Sequence, residues 1–337
     1  MKAIGYWKAG PITAVDSLVE LEMPAPLPGP RDLRIAVKAV SVNPADTQLR
    51  QTQTPMNGEF RILGYDAAGV VDAVGSDVTL FKPGDEVFYA GAMDRQGSNS
   101  ELQLVDERLV GRKPQSLSFS QSAALPLTSI TAWELLFNRL GVPFGEKANH
   151  GGLMIVNGAG GVGSILTQLA RRLTGLTVVA TASRPETIDW CRNMGAHHVI
   201  NHHRPLSEGL KEAGIDHVDF VAGLTATDRH LPEIVKALVP QGKLALIDNP
   251  DVLNIVSLKL KCISVHWELM FTRSLYQTAD MIEQHHILNE VADLVDAGVL
   301  RTTMVKEAGP ICADNLKRVH AQLETGRSIG KVVLSGF

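Results

Sequence analysis

Cysteine is scarce in this chain. Its 337 residues carry three, Cys191, Cys262 and Cys312, widely spaced and odd in number. No Cys-x-x-Cys pair occurs, which excludes a disulfide framework and a cysteine-built structural zinc site. Reduced thiols in a cytoplasmic protein are the expectation. An excess of charge of one sign is also missing. The net charge is −4 with acidic and basic residues interspersed, so no nucleic-acid partner is expected. No run approaches ~18 uninterrupted apolar residues, so no membrane span is expected. The opening Met1–Lys8 has no apolar run after its lysine and reads as a short strand, not a signal peptide.

What is present suits a globular chain: 45 % hydrophobic and 20 % charged residues. At roughly 100–200 residues per domain, two domains are expected. Residues 1–125 are β-rich. Ile35–Val42, Ala67–Val74 and Gly84–Ala90 read as strands separated by Pro/Gly turns, which suggests a compact, barrel-like β unit. The texture changes near residue 120, where Ser122–Leu140 carries apolar residues at helical spacing. From Gly152 onward strands (Leu153–Asn157, Thr177–Ala182, His198–Asn201, His217–Val221, Lys243–Ile247) alternate with helical segments (Gly163–Thr174, Pro185–Met194, Asp228–Leu238). That rhythm predicts an α/β fold with a doubly wound parallel sheet. Residues 262–269 add a sixth strand, Ser274–Ala297 reads as one helix, and the tail 330–334 reads as a strand rejoining the N-terminal β unit.

The turn Asn157-Gly158-Ala159-Gly160-Gly161-Val162-Gly163 lies between the first of these strands and its helix. Gly158, Gly160 and Gly163 have the G-x-G-x-x-G spacing of a dinucleotide site: a tight turn, close approach of backbone to pyrophosphate, and close helix–strand packing. The helix N-terminus adds N–H groups and partial positive charge for phosphates. A glycine-rich loop used only for chain reversal is the alternative. The second strand runs into Ala182-Ser183-Arg184, without the acid that holds the ribose 2′-hydroxyl of NAD. Ser183 and Arg184 instead suit a 2′-phosphate, so NADPH is the expected cofactor. An ordinary solvated arginine is the alternative, and Glu186 restores NAD binding if the strand ends later.

Several pieces together resemble the medium-chain dehydrogenase/reductase superfamily, over essentially the whole chain. They are Val42-Asn43-Pro44-Ala45-Asp46, Gly64-Tyr65-Asp66-Ala67-Ala68-Gly69, Lys82–Val87, Asn157–Gly163 and Ile329–Leu334. Within it the chain is similar to the quinone oxidoreductase branch and its zinc-type alcohol dehydrogenase-like subgroup. The resemblance implies a GroES-like catalytic domain (residues 1–125 plus 268–337) and a Rossmann domain (126–267). Zinc alcohol dehydrogenases have Cys where Asn43 stands and Gly-His-Glu where Gly64-Tyr65-Asp66 stands, and often a four-cysteine lobe where 91–100 holds none. Catalytic zinc needs three protein ligands, so no metal is expected.

Without a Lewis acid, hydride transfer to an electron-poor acceptor is favoured over alcohol oxidation. The resemblance places Asn43 at the nicotinamide end of the cleft, where its amide can donate to an oxyanion, and Tyr65 at the lost zinc-ligand position, where its hydroxyl can donate a hydrogen bond or a proton. Asp46 and Asp66 are expected to fix loops. Thr128 and Thr131 are candidates for the carboxamide side of the cofactor. For all of these a loop or cap role is the alternative. His266, Trp267 and Phe271 are pocket candidates, but for the two aromatics core packing is the expectation. Related quinone oxidoreductases have Ile-Asn-Tyr near the adenosine end; here Ile200-Asn201-His202 stands, so His202 is either a cofactor contact or a loop histidine. The other paired histidines read as surface or packing residues.

The leading expectation is therefore an NADPH-dependent oxidoreductase acting on a small-molecule acceptor such as a quinone. An NADPH-dependent enoyl or alkenal reductase, a zinc-type alcohol dehydrogenase, and a non-catalytic nucleotide-binding or redox-sensing protein are the alternatives. A strand near 262–269 at a sheet edge favours a homodimer.

Overall fold

The computed structural model describes residues 1–145 and 151–337. It divides into two units, Met1–Ile130 with Phe271–Phe337, and Thr131–Met270. The borders expected from sequence, 125 and 267, each fall a few residues earlier.

From the N-terminus the elements are Lys2–Tyr6 (β1), Val19–Glu22 (β2), Asp32–Ser41 (β3), Pro44–Thr52 (α1), Arg61–Ile62 (β4), Ala67–Val74 (β5), Glu86–Tyr89 (β6), Leu102–Asp106 (β7), Val110–Arg112 (β8), Phe119–Ala123 (α2) and Pro126–Trp133 (α3). The second unit follows with Gly152–Val156 (β9), Gly161–Leu173 (α4), Thr177–Thr181 (β10), Pro185–Met194 (α5), His198–Ile200 (β11), Leu206–Glu212 (α6), Val218–Gly223 (β12), Thr227–Ala237 (α7), Leu238–Leu246 (β13) and Ser264–Trp267 (β14). The chain then returns to the first unit with Thr272–Leu275 (α8), Glu283–Asp296 (α9), Met304–Glu307 (β15), Ala313–Glu324 (α10) and Lys331–Ser335 (β16).

In the first unit, β3 alternates: Leu33, Ile35, Val37 and Ala39 are buried on one face. That pattern sets its register against β5, β7 and β16. The resulting seven-stranded sheet runs β15-β16-β3-β5-β6-β8, with β7 also on β3. The tail pairs antiparallel with β3, Val333 opposite Ser41, and so rejoins the N-terminal β unit. A second, three-stranded sheet runs β2-β1-β4.

The second unit is a six-stranded sheet of order β11-β10-β9-β12-β13-β14, every pair parallel. Its central strand, Gly-Leu-Met-Ile-Val, is buried throughout, the mark of a parallel strand covered on both faces. The chain moves from β9 to β10 and β11 on one side, then crosses to β12 on the other. Ligands of such sheets bind beyond the carboxyl ends of the strands where the order reverses.

Two expected helices are broken. The segment Ser274–Ala297 splits into α8 and α9. Between them Gln277 has φ 45°, and Thr278 Oγ1 and Arg273 Nε both donate to the Asp280 carboxylate, at 2.6 and 3.1 Å. That local turn outcompetes the continuous helix. Ser122–Leu140 splits before Pro126, which disfavours helical backbone at the residue before it. It ends in a π-helical turn over Glu134–Arg139.

Candidate functional site

The glycine turn leaves the carboxyl end of β9 at the point where strand order reverses. Asn157, at φ 63°, turns the chain. Its N–H donates to Thr181 Oγ1 at 2.9 Å, and the N–H of Gly158 donates to the Thr181 carbonyl at 3.0 Å. The three glycines differ in what surrounds them. A Cβ on Gly158 would lie 2.7 Å from the Ala180 Cβ, and one on Gly163 would lie 2.7 Å from the Asn157 oxygen. These two are demanded by packing inside the protein. A Cβ on Gly160 would meet no atom closer than 3.5 Å. Nothing in the chain requires glycine there; the space it leaves fits the approach of a pyrophosphate. Gly160 is also the N-cap of α4, whose first-turn N–H groups have no helical carbonyl to bond. Ala159, Gly161 and Val162 complete the turn, with Ala159 packed in the Ala180–Ala182–Cys191 cluster.

Beside this turn, β10 ends at Thr181, and Ser183 and Arg184 follow. Arg184 is the N-cap of α5 and is partly exposed. Its guanidinium lies 3.2 Å from the Glu186 carboxylate. Glu186 therefore sits in the first turn of α5 and not at the strand end, where an acid would receive the ribose of NAD. His202 Nδ1 lies 3.1 Å from Thr181 Oγ1, so Thr181 links the glycine turn and this imidazole.

In the first unit, Asn43 is the N-cap of α1, with Pro44 in its first turn. Its N–H donates to Asp46 Oδ2 at 2.7 Å, and Asp46 Oδ1 accepts from the N–H of Gly64 at 2.9 Å. Gly64 has φ 117°, and a Cβ there would lie 2.4 Å from Ser98 Oγ, so only glycine leads the chain into Tyr65 here. Asp66 Oδ1 accepts from the Leu127 N–H at 2.7 Å. Its Oδ2 accepts from Asn43 Nδ2 at 2.8 Å and from Lys331 Nζ at 2.9 Å. The Lys331 ammonium also donates to Asn43 Oδ1 and to the Val42 carbonyl. All four side chains are buried. Burial raises both carboxyls, Asp46 to about 7, while the Lys331 charge opposes the rise.

The Asn43 amide donates to Asp66 and the Ser41 carbonyl and accepts from Lys331, so its polar atoms are engaged within this network. Tyr65 is buried, its hydroxyl accepts from Arg61 Nη2 at 3.2 Å, and its ring meets Phe271 edge-on at 5.3 Å. Burial pushes the phenol up to about 12, so it keeps its proton. An amide, a protonated phenol and a carboxylate already paired with an ammonium do not fit zinc. Among the described residues no three His, Cys, Asp or Glu side chains are placed to hold a metal ion.

Thr128 Oγ1 donates to the Leu125 carbonyl at 3.1 Å, leaving its oxygen as an acceptor; Thr131 is buried. His266 Nε2 lies 3.2 Å from Ser264 Oγ. Phe271 is core, but Trp267 is 55 % exposed, against the expectation of packing; among the described residues β14 is the edge strand of its sheet.

Besides Lys331, sequence reasoning missed a buried carboxylate pair in the second unit. Glu268, directly after β14, accepts from Arg139 Nε at 2.8 Å, and Glu134 lies 3.7 Å from the same guanidinium. Burial first, then the Glu134 charge, raises Glu268 to about 8. Only the fold brings these residues together; the one local trace is the charged pair Glu134 and Arg139 in an otherwise uncharged helical stretch.

Comparison with known proteins places this geometry. The alcohol dehydrogenase GroES-like domain matches residues 29–125 and the zinc-binding dehydrogenase family matches residues 194–334. A zinc-type alcohol dehydrogenase-like protein of Staphylococcus aureus is 40 % identical over 341 residues, covering 99 % of this chain and 100 % of that protein. The crystal structure of a Rhizobium etli protein assigned as a zinc-dependent alcohol dehydrogenase is 52 % identical, covers 100 % of this chain and 98 % of its own, and has a TM-score of 0.96. The Escherichia coli quinone oxidoreductase, solved with NADPH, is 26 % identical with a TM-score of 0.84, covering 99 % of this chain and 100 % of its own.

Proposed function

Because the chain belongs to the medium-chain dehydrogenase/reductase superfamily, beside its zinc-type alcohol dehydrogenase-like proteins, we propose that it is an NADPH-dependent, zinc-independent oxidoreductase whose hydride acceptor is electron-poor, such as a quinone. The observation that carries the cofactor is the space beside Gly160 at the mouth of the glycine turn, which no protein atom explains. Ser183 and Arg184 at the end of β10, with no acid there, support NADPH over NADH. When bound, the cofactor supplies the hydride: quinone, NADPH and a proton give hydroquinone and NADP+.

The chain's own residues bind and orient. The α4 N-terminus and the backbone of Gly158–Gly163 hold the pyrophosphate, and Arg184 pairs with the 2′-phosphate. Thr128 accepts from the carboxamide. Tyr65, protonated and buried, is the proposed hydrogen-bond donor to the acceptor's oxygen. Asn43 is a positioning residue that ties the Tyr65–Asp66 turn to α1. The test is NADPH oxidation by the purified protein with a panel of quinones. Turnover supports the reading, and tight binding with no turnover on any acceptor favours a nucleotide-binding protein.

A second reading is supported by one relative. The 2-methylene-furan-3-one reductase of Solanum lycopersicum is 28 % identical over 347 residues, covering 99 % of this chain and 79 % of that protein. An α,β-unsaturated carbonyl takes hydride at carbon as a quinone does at its ring system, so alkenals belong in the same panel.

We further propose a homodimer formed through β14. That strand is the outer edge of its sheet among the described residues, and Trp267 at its end and Leu269 just after it are exposed, as are Val252, Ile255, Val256 and Leu260 in the segment that leads into it. A monomer by light scattering overturns this. No described helix is long and apolar enough to cross a membrane. Free thiols at all three cysteines support a cytoplasmic location, and the net charge of −4 argues against nucleic acid as a partner.

A further inference from the structure

Three imidazoles gather at the carboxyl edge of the second unit's sheet. The ring of His202, just beyond β11, lies 4.9 Å from that of His203 and 6.3 Å from that of His230 on α7. His202 also meets Thr181, the last residue of β10 and the residue that anchors the glycine turn. Ser183 and Arg184 follow Thr181 directly. His202 and His230 are half-buried and His203 is exposed.

We propose that His202, His203 and His230 form a titratable recognition site for the 2′-phosphate of NADPH, so that preference over NADH rises as pH falls and NADPH binding takes up a proton. This rests on the NADPH reading above. Neither His203 nor His230 has a role in hydride transfer, and nothing in the packing of the sheet requires three histidines in contact.

The charges around the cluster permit the linkage. Burial lowers the pKa of His202, with His203 and His230 adding to the effect. Burial also lowers His230; Arg229 and His203 act in the same direction, and Asp228 and Asp248 oppose. Asp248 is already engaged, accepting from the Thr227 N–H at 2.8 Å and Thr227 Oγ1 at 2.7 Å. Near pH 7.5 His202 and His230 are therefore neutral in the free site. A phosphate monoester has its second ionisation near ~6, so it arrives as a dianion and draws a proton onto the cluster. NADH, with a bare 2′-hydroxyl, carries no such charge.

Fluorescence titration of the full chain with NADPH and with NADH at pH 8.5, 7.5 and 6.5 tests the proposal. The ratio of NADPH to NADH affinity should rise about fivefold or more across that range, against a ceiling of about tenfold per pH unit for one linked proton. Calorimetry in buffers of different ionisation heat should find uptake of about half a proton or more with NADPH at pH 7.5, and none with NADH. His230→Gln should flatten the pH slope while NADPH remains preferred at pH 8.5; exposed His203→Gln offers a variant with little risk to folding. NADPH preference that is constant with pH, without proton uptake, overturns the imidazole site but leaves the NADPH reading standing. NADH preferred at every pH overturns both.

Discussion

Lys331 Nζ lies 2.9 Å from Asp66 Oδ2, joining the last strand to the turn that carries Tyr65, with both side chains buried. The same ammonium bonds Asn43, so one cation ties together segments from both ends of the chain. Removing one partner of such a pair strands the other's charge in the interior.

Lys331→Met should therefore cost about 3–5 kcal/mol of stability. Adding Asp66→Asn, which keeps a neutral acceptor for the Leu127 N–H, should recover part of that loss. Urea unfolding of the single and double variants checks this; strictly additive losses would contradict the coupling.

Tyr65→Phe removes one hydroxyl that already accepts from Arg61. Losing one hydrogen bond of this kind is worth about 1 kcal/mol, so kcat with a quinone should fall by less than about tenfold, since water can supply the proton. A fall of several orders of magnitude would make Tyr65 an essential acid.

Gly160→Ala and Gly163→Ala separate binding from folding. Gly160 has φ −70°, which alanine adopts without strain, so that variant should keep its melting temperature while NADPH binding weakens about tenfold or more. Gly163→Ala forces a Cβ onto the turn's own backbone and should cost about 1–3 kcal/mol. Melting curves and NADPH titrations of both variants check the pair; equal melting losses would contradict the assignment.

Glu268 makes stability depend on pH. Its carboxyl is raised in the fold from 4.5 to about 8, by burial and by Glu134, so the folded state holds a proton that the unfolded state has lost. Its contribution is fully present below pH 4.5 and is lost as pH rises towards 8. Glu268→Gln should flatten the decline in melting temperature between pH 5 and pH 8; an unchanged slope would place the titration elsewhere.

The parallel sheet and the glycine turn were legible in sequence because their causes are local. Strands covered on both faces become apolar runs, and positions that admit no Cβ, as at Gly158 and Gly163, must be written in glycine. The start of α1 had a readable signal as well, Asn43 before Pro44 with Asp46 in the first turn, although no helix was expected there. The break between α8 and α9 was hidden, since helical periodicity continues through a turn that Asp280 stabilises. Lys331 stood in a family signature without a role, because its partners Asp66 and Asn43 lie hundreds of residues away and meet it only through β-sheet pairing. The Glu134–Arg139–Glu268 cluster was invisible for the same reason. Trp267 misled because an aromatic residue in a strand reads as core until the sheet order shows the strand to be an edge.

The most direct test of the central claim is titration of chelator-treated protein with NADPH and NADH, with zinc measured on the same sample before and after chelation. Tight NADPH binding, weaker NADH binding and no stoichiometric zinc are the predicted result. Stoichiometric zinc, or cofactor binding lost along with the metal, would contradict the reading of Asn43, Tyr65 and Asp66 and return a zinc alcohol dehydrogenase.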